Sequence, residues 1–226
     1  MSLLLKLLFQ SIGPKTYDIF IGNCRESISV QDRLLNWLIK KNKECEYGKC
    51  YNFKSLSGYK DFQKRVPIVN YDDIYHYVES SLNGKKAQLT RDQPIFFATT
   101  SGTTGKVKYI PVTAESKSSK SQLLRVWFSK FFIDHPHILN GRVLSVISPE
   151  IDSYSPSGIP CGAESGHGYR NMPKATATSY SCPYDVFTID DFETKYYVIL
   201  RIALCQYITL IYSVNPSNVL LLTQKL

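Results

Sequence analysis

The chain has 226 residues, 43% of them apolar and 20% charged, with a formal net charge of +8. Its 16 Tyr and 11 Phe supply enough surface to offset chain entropy, which excludes a disordered chain and leaves room for one large domain or two small ones without disulfide help. The lysines are scattered in short clusters (Lys40, Lys41 and Lys43; Lys85 and Lys86) with no helix-turn-helix, zinc-finger or RNA-binding signature, so the basic balance points to a solvated surface and not to a nucleic-acid partner.

The opening Leu3, Leu4, Leu7 and Leu8 fall on one side of a helix that Lys6 interrupts, and no signal-peptide cleavage pattern follows. Leu34, Leu35, Leu38 and Ile39 recur at helical spacing and predict a helix over 30–43. A short helix is expected over 57–65, ending before Pro67, and a further one after Asn70, with Asn70 as its cap and Tyr71, Ile74, Tyr75 and Val78 on one face. Residues 1–92 thus read as a mainly helical segment, and residues 93–226 as an α/β portion.

The apolar run Pro94 to Thr99 predicts a buried strand, and Lys108 to Val112 a second one closed by Pro111. Thr113 with Ser116 predicts the capped start of an amphipathic helix bearing Leu123, Leu124, Trp127, Phe128 and Phe131, whose aromatics, with Phe132, are expected in the core. Val143 to Ile147 reads as a strand, and 149–169 as a long Gly/Ser/Pro-rich connection. A helix over 196–204, a strand over 208–214 and a helix opened by Pro216 complete the chain. The stretch from Tyr196 to Val214 carries Arg201 and Gln206, too polar and short for a bilayer, so no membrane partner is expected. Helices alternating with strands imply an α/β fold.

Between the first two strands lies Thr100-Ser101-Gly102-Thr103-Thr104-Gly105-Lys106, followed by Lys108. Gly102 and Gly105 allow tight turns that present main-chain N–H groups to an anion. Thr100, Ser101, Thr103 and Thr104 add hydroxyl donors, and Lys106 and Lys108 add charge for phosphate oxygens. The loop is not a Walker A sequence, because only Thr103 and Thr104 separate Gly102 from Gly105-Lys106.

This loop resembles the ATP-phosphate loop of the acyl-adenylate-forming superfamily. Phe62-Gln-Lys-Arg-Val-Pro67, Tyr109-Ile-Pro-Val-Thr113, Ser155-Pro-Ser-Gly-Ile-Pro160 and Asn215-Pro-Ser217 are similar, in order, to segments of the GH3 family of acyl-acid amido synthetases. The resemblance implies an adenylate-forming-enzyme-like α/β domain that this chain covers only in its N-terminal part. It also implies a ligase reaction, in which a carboxylic acid attacks ATP to give an acyl-adenylate and an amino acid then takes the acyl group. By the same resemblance Ser101 to Lys106 hold the β- and γ-phosphates, and Mg2+ neutralises them. Later family motifs for adenine, ribose and metal are not found before Leu226. Adenylation by this chain alone is therefore not expected, and a companion C-terminal chain or a non-catalytic binding module are the alternatives. A core cut inside its last helix is expected to expose apolar surface.

Glu150, Asp152, Tyr154, Ser157, Glu164 and His167 follow the strand ending near Ile147, at the end of a sheet where ligands bind, and Glu164 with His167 invites an acid/base reading. A loop ordered by its own side chains accounts for them better. His135-Pro-His137 reads as a helix terminus, and Asp72-Asp73 and Asp190-Asp191 as acids complementing helix dipoles. The six cysteines form no C-x-x-C pair, so zinc is not expected, and the chain reads as reduced and cytoplasmic.

Overall fold

The structure, a computed structural model, describes residues 3–100 and 107–225, with side chains described from Gly13 onward. Ser101 to Lys106, the centre of the expected phosphate loop, lie outside the described residues. In chain order the elements are α1 (Leu3–Arg25), α2 (Ser27–Asn42), α3 (Glu46–Cys50), α4 (Tyr59–Arg65), α5 (Tyr71–Leu82), β1 (Pro94–Thr100), β2 (Lys108–Thr113), α6 (Ala114–Asp134), β3 (Arg142–Val146), β4 (Ser153–Tyr154), β5 (Pro160–Gly162), α7 (Glu164–Arg170), α8 (Lys174–Ala177), α9 (Phe192–Leu204), β6 (Ile208–Ser213) and α10 (Pro216–Gln224). Short 3-10 turns lie at Phe53–Ser55, Pro136–Asn140 and Tyr184–Thr188. Helices come first and strands follow, as the α/β reading requires. No described helix is long and apolar enough to cross a membrane.

The chain divides into two compact units, one of Ile19–Ser121 with Ser153–Cys161, the other of Met1–Asp18, Gln122–Asp152 and Gly162–Leu226. In the first, the sheet order is β2-β1-β5-β4, with β1 and β2 antiparallel and β4 and β5 antiparallel. β1 is an inner strand, which is why Phe96, Phe97 and Ala98 are all buried and its sequence runs apolar without alternation. Phe97 joins Val78, Leu82 and Cys161 in one cluster, while Phe96, Ala98 and Val112 form another. Pro111 does not close β2. It pairs with Phe97 and the strand continues to Thr113, because β2 is the sheet's edge and a missing N–H is tolerated there.

Helix starts follow their caps. The Asp73 carboxylate accepts from the Asn70 amide at 2.8 Å at the head of α5. At the head of α6, Ser116 N–H donates to Thr113 Oγ1 at 3.1 Å and Thr113 N–H to Ser116 Oγ at 2.8 Å, a reciprocal box. On α2 the periodic residues are not a buried stripe: Ile39 is buried, but Leu34 and Leu38 are exposed along with Trp37.

In the second unit β3 and β6 pair in parallel, Val143 opposite Leu210 and Ser145 opposite Tyr212. Leu144 and Val146 point into the main cluster with Tyr196, Ile199 and Ala203 of α9 and Leu222 of α10. The opposite face takes the aromatics of α6, with Trp127 5.8 Å from Tyr212 between ring centroids. Those aromatics are not core. Ser129 is the buried residue of α6, and Trp127 stacks on Phe131 at 5.4 Å while remaining 44% exposed. Leu204, Ile211, Val214 and Leu220 are exposed. The stretch 149–169 is not a structureless connection, since it holds β4, β5 and α7.

Candidate functional site

The candidate phosphate loop hangs between two strands whose ends are held in register, Thr100 opposite Lys108 and Thr99 opposite Tyr109. Of its eight sequence-predicted residues the structure describes Thr100, exposed at the end of β1, and Lys108, half-buried at the start of β2. Ser101, Gly102, Thr103, Thr104, Gly105 and Lys106 lie outside the described residues.

The base of this hairpin is fixed from the side by α5. The Tyr71 hydroxyl accepts from the Tyr109 amide at 2.9 Å and donates to the Tyr109 carbonyl at 3.2 Å, pairing main-chain groups that the edge strand β2 turns outward. Burial pushes the Tyr71 phenol above its ordinary pKa, so it stays protonated and can do both. The Lys108 ammonium lies over the Tyr71 ring, 5.4 Å from its centroid. Among the described residues Lys108 has no carboxylate partner, so its charge stands unneutralised at the mouth of the loop. One tyrosine thus both fixes the hairpin and steadies its cation. Sequence reading placed Tyr71 on one face of α5 with Ile74, Tyr75 and Val78 but gave it no part in the site; nothing local in the sequence signals a contact 38 residues away.

In the second unit the strand β3 runs out into Ser148-Pro149-Glu150, and this turn is gripped by backbone. A Cβ on Gly166 would stand 2.4 Å from Ser148 O and 2.5 Å from Glu150 N, and one on Gly162 would stand 2.1 Å from Glu150 O. The Glu150 amide donates to the Tyr184 hydroxyl at 2.7 Å. The buried Glu150 carboxylate meets His167 Nδ1 at 2.8 Å and accepts from Asn171 Nδ2 at 3.0 Å, with Arg170 Nε 3.3 Å from its other oxygen. These contacts hold α7 onto the strand end, as expected of a loop ordered by its own side chains. Asp152 and Glu164 belong to the same unit, whereas Tyr154 and Ser157 belong to the other, where Ser157 Oγ meets Ser155 Oγ at 3.0 Å. His135 and His137 are exposed around the turn Pro136–Asn140. Among the described residues no group of His, Cys, Asp and Glu could hold a metal ion.

A family model described as the GH3 family N-terminal domain matches residues 17–226. The chain belongs to the GH3 family. Its GH3 relatives include the indole-3-acetic acid-amido synthetase GH3.3 of Arabidopsis thaliana, 24% identical over 197 residues that make up 82% of this chain and 33% of the relative. The jasmonoyl–L-amino acid synthetase JAR6 of Nicotiana attenuata is 25% identical over 190 residues, 81% of this chain and 33% of that protein. The fold is that of the GH3.15 acyl acid amido synthetase structure, with a TM-score of 0.69 at 20% identity over 88% of this chain and 34% of that one. The chain therefore spans about a third of the length of the GH3 proteins it matches.

Proposed function

We propose that this chain supplies the phosphate-binding part of an ATP-dependent ligase that joins a carboxylic acid to an amino acid through an acyl-adenylate. The observation that carries the reading is the loop of hydroxyls, glycines and lysines placed between two register-locked strands, in a chain whose GH3 relatives are named as amido synthetases. Tyr71 and the unneutralised Lys108 fit an anion at the loop's mouth. In this reading Ser101 to Lys106 turn main-chain N–H groups and hydroxyls toward the phosphates, and Lys108 adds attraction that grows as charge develops on the departing pyrophosphate. Mg2+, when bound, would neutralise phosphate charge. A cytoplasmic setting, which supplies ATP and keeps the six thiols reduced, is part of the proposal.

That the chain is inert by itself finds no support in the fold or the comparisons, so it is left to the assay. ATP-dependent pyrophosphate release is measured with the purified chain, Mg2+, a panel of carboxylic acids and the amino acids, with and without a co-expressed C-terminal portion of a GH3 relative. Release that requires both an acid and ATP, in either tube, supports the ligase. Absence of release in both, together with no ATP-dependent rise in Tm, overturns it in favour of a binding module that keeps the fold without the chemistry.

A further inference from the structure

Open α/β sheets bind ligands in the crevice outside the carboxyl ends of their strands. In the second unit the strand β3 leads into the Ser148–Glu150 turn, and Arg170, the last residue of α7, lies beside that turn. Two contacts fix its head. The Arg170 Cζ stands 5.3 Å from the centroid of the Tyr184 ring, and its Nε stands 3.3 Å from Glu150 Oε2.

Both supports are themselves held. The Tyr184 hydroxyl accepts from the Glu150 amide at 2.7 Å, and the Tyr184 ring lies 6.3 Å from that of buried Tyr169. The Glu150 carboxylate is buried, with His167 Nδ1 and Asn171 Nδ2 at its other oxygen, Oε1. A ring against the guanidinium and a carboxylate at one corner set both its plane and its direction.

A guanidinium carries five N–H donors at three corners. Glu150 faces the Nε corner. The end edge, formed by Nη1 and Nη2, makes no hydrogen bond with any described residue, and the side chain is 60% exposed. The fork is therefore accessible and already oriented, so less rotamer freedom is lost when a planar anion pairs with it. Charge then selects the anion. Glu150 offsets part of the single positive charge, and a phosphate carrying roughly two negative charges would meet one cation with a carboxylate close behind it. A monoanionic carboxylate needs no second cation, and its two oxygens match the two Nη groups.

We propose that Arg170, presented by Tyr184 and Glu150 beyond the carboxyl end of β3, is a binding residue for the carboxylate of a small organic acid.

Benzoate, benzamide and inorganic phosphate are titrated into the full chain at constant ionic strength without ATP. The Arg170 Nε–H and the amides of Asn171 and Tyr184 are followed by NMR. The expected result is saturable shifts with benzoate, at least tenfold weaker binding of benzamide, which keeps the ring without the charge, and weaker binding of phosphate than of benzoate. Arg170→Gln should bring benzoate and benzamide within twofold of each other at the two amides. Arg170→Lys keeps the charge and loses the fork, and should weaken benzoate at least threefold. Arg201→Gln removes another exposed arginine of the same unit and should leave benzoate binding unchanged. Glu150 keeps His167 and Asn171 in both Arg170 variants, so each should fold, which its Tm checks. The proposal is overturned by absence of saturable shifts with benzoate, by benzamide or phosphate binding as tightly as benzoate, by a preference for benzoate that survives Arg170→Gln, by full affinity in Arg170→Lys, or by an equal loss in Arg201→Gln. No arm involves ATP, so a failure here is distinct from a failure of the ligase reading.

Discussion

The Tyr71 hydroxyl sits against the main chain of Tyr109, accepting from its amide at 2.9 Å and donating to its carbonyl at 3.2 Å, 38 residues away in sequence. Tyr71→Phe keeps the ring under Lys108 but leaves both Tyr109 groups without that partner. The expected loss is about 1–2 kcal/mol of unfolding free energy, read by urea denaturation with an unchanged m-value. A loss below about 0.3 kcal/mol would show that water takes over both bonds and that Tyr71 does not hold the hairpin.

Lys108→Gln tests the electrostatic half of the same arrangement. In the ligase reading the Lys108 ammonium contributes one charge-assisted contact to phosphate, so its removal should weaken ATP binding about tenfold by calorimetry, with the Tm of the free chain nearly unchanged. An unaltered ATP affinity would place the phosphates beyond the reach of Lys108.

The two central glycines of α7 should respond in opposite directions. Gly166→Ala drives a Cβ to 2.4 Å from Ser148 O and 2.5 Å from Glu150 N, both main-chain atoms that cannot step aside, and should cost about 1–3 kcal/mol or prevent folding of that unit. Gly168→Ala meets nothing within 4 Å and removes helix-interior glycine entropy, so it should stabilise by about 0.5–1 kcal/mol. Thermal unfolding of the pair checks the close approach of α7 to the strand end. Similar Tm values for both variants would contradict it.

The cysteines divide by accessibility. Cys45, Cys161 and Cys182 are buried, and burial pushes each thiol above its ordinary pKa, whereas Cys24, Cys50 and Cys205 are exposed. A chromogenic disulfide reagent at pH 8 should therefore label three thiols quickly in the native chain and the other three only on unfolding. Fast reaction of Cys161, which packs against Phe97, would mean that the cluster beneath the β1–β2 hairpin opens readily.

What the sequence could tell about this fold depended on how local the cause was. The starts of α5 and α6 were legible because their caps, Asn70 with Asp73 and Thr113 with Ser116, act within one helical turn. The strand β1 was legible because Phe96, Phe97 and Ala98 are buried on both faces of an inner strand. Pro111 misled because edge or interior is a property of the finished sheet, and the proline alone does not carry it. The three-residue β5 and two-residue β4 left no periodicity to detect, and their pairing depends on long-range register. The α6 aromatics marked a side of the helix, but periodicity does not say what covers that side, and Trp127 is only partly covered. At the candidate site, the loop of hydroxyls, glycines and lysines was singled out from residue types and spacing, while the contacts of Tyr71 and of the Glu150–His167 pair, with partners 38 and 17 residues apart, were not.

Acid should loosen the fold in part through two helix-start carboxylates. Asp191 accepts from Thr194 N–H at 2.7 Å at the head of α9, and the Thr194 hydroxyl first, with that main-chain bond, holds its pKa below the ordinary 3.8. Asp61 accepts from the Ser57 hydroxyl at 2.6 Å and amide at 3.1 Å, with the same effect. Each group binds its proton more weakly folded than unfolded, so its stabilising contribution is complete above the unfolded value near 3.8 and disappears as pH falls through the lower folded value. The urea midpoint of the unaltered chain should fall as pH drops below about 4. Asp191→Asn keeps a side-chain acceptor for Thr194 without a titrating proton, so its midpoint should fall less steeply over the same window even if it starts slightly lower. Parallel slopes for the two chains would show that the Asp191 cap is not formed at the head of α9 in solution.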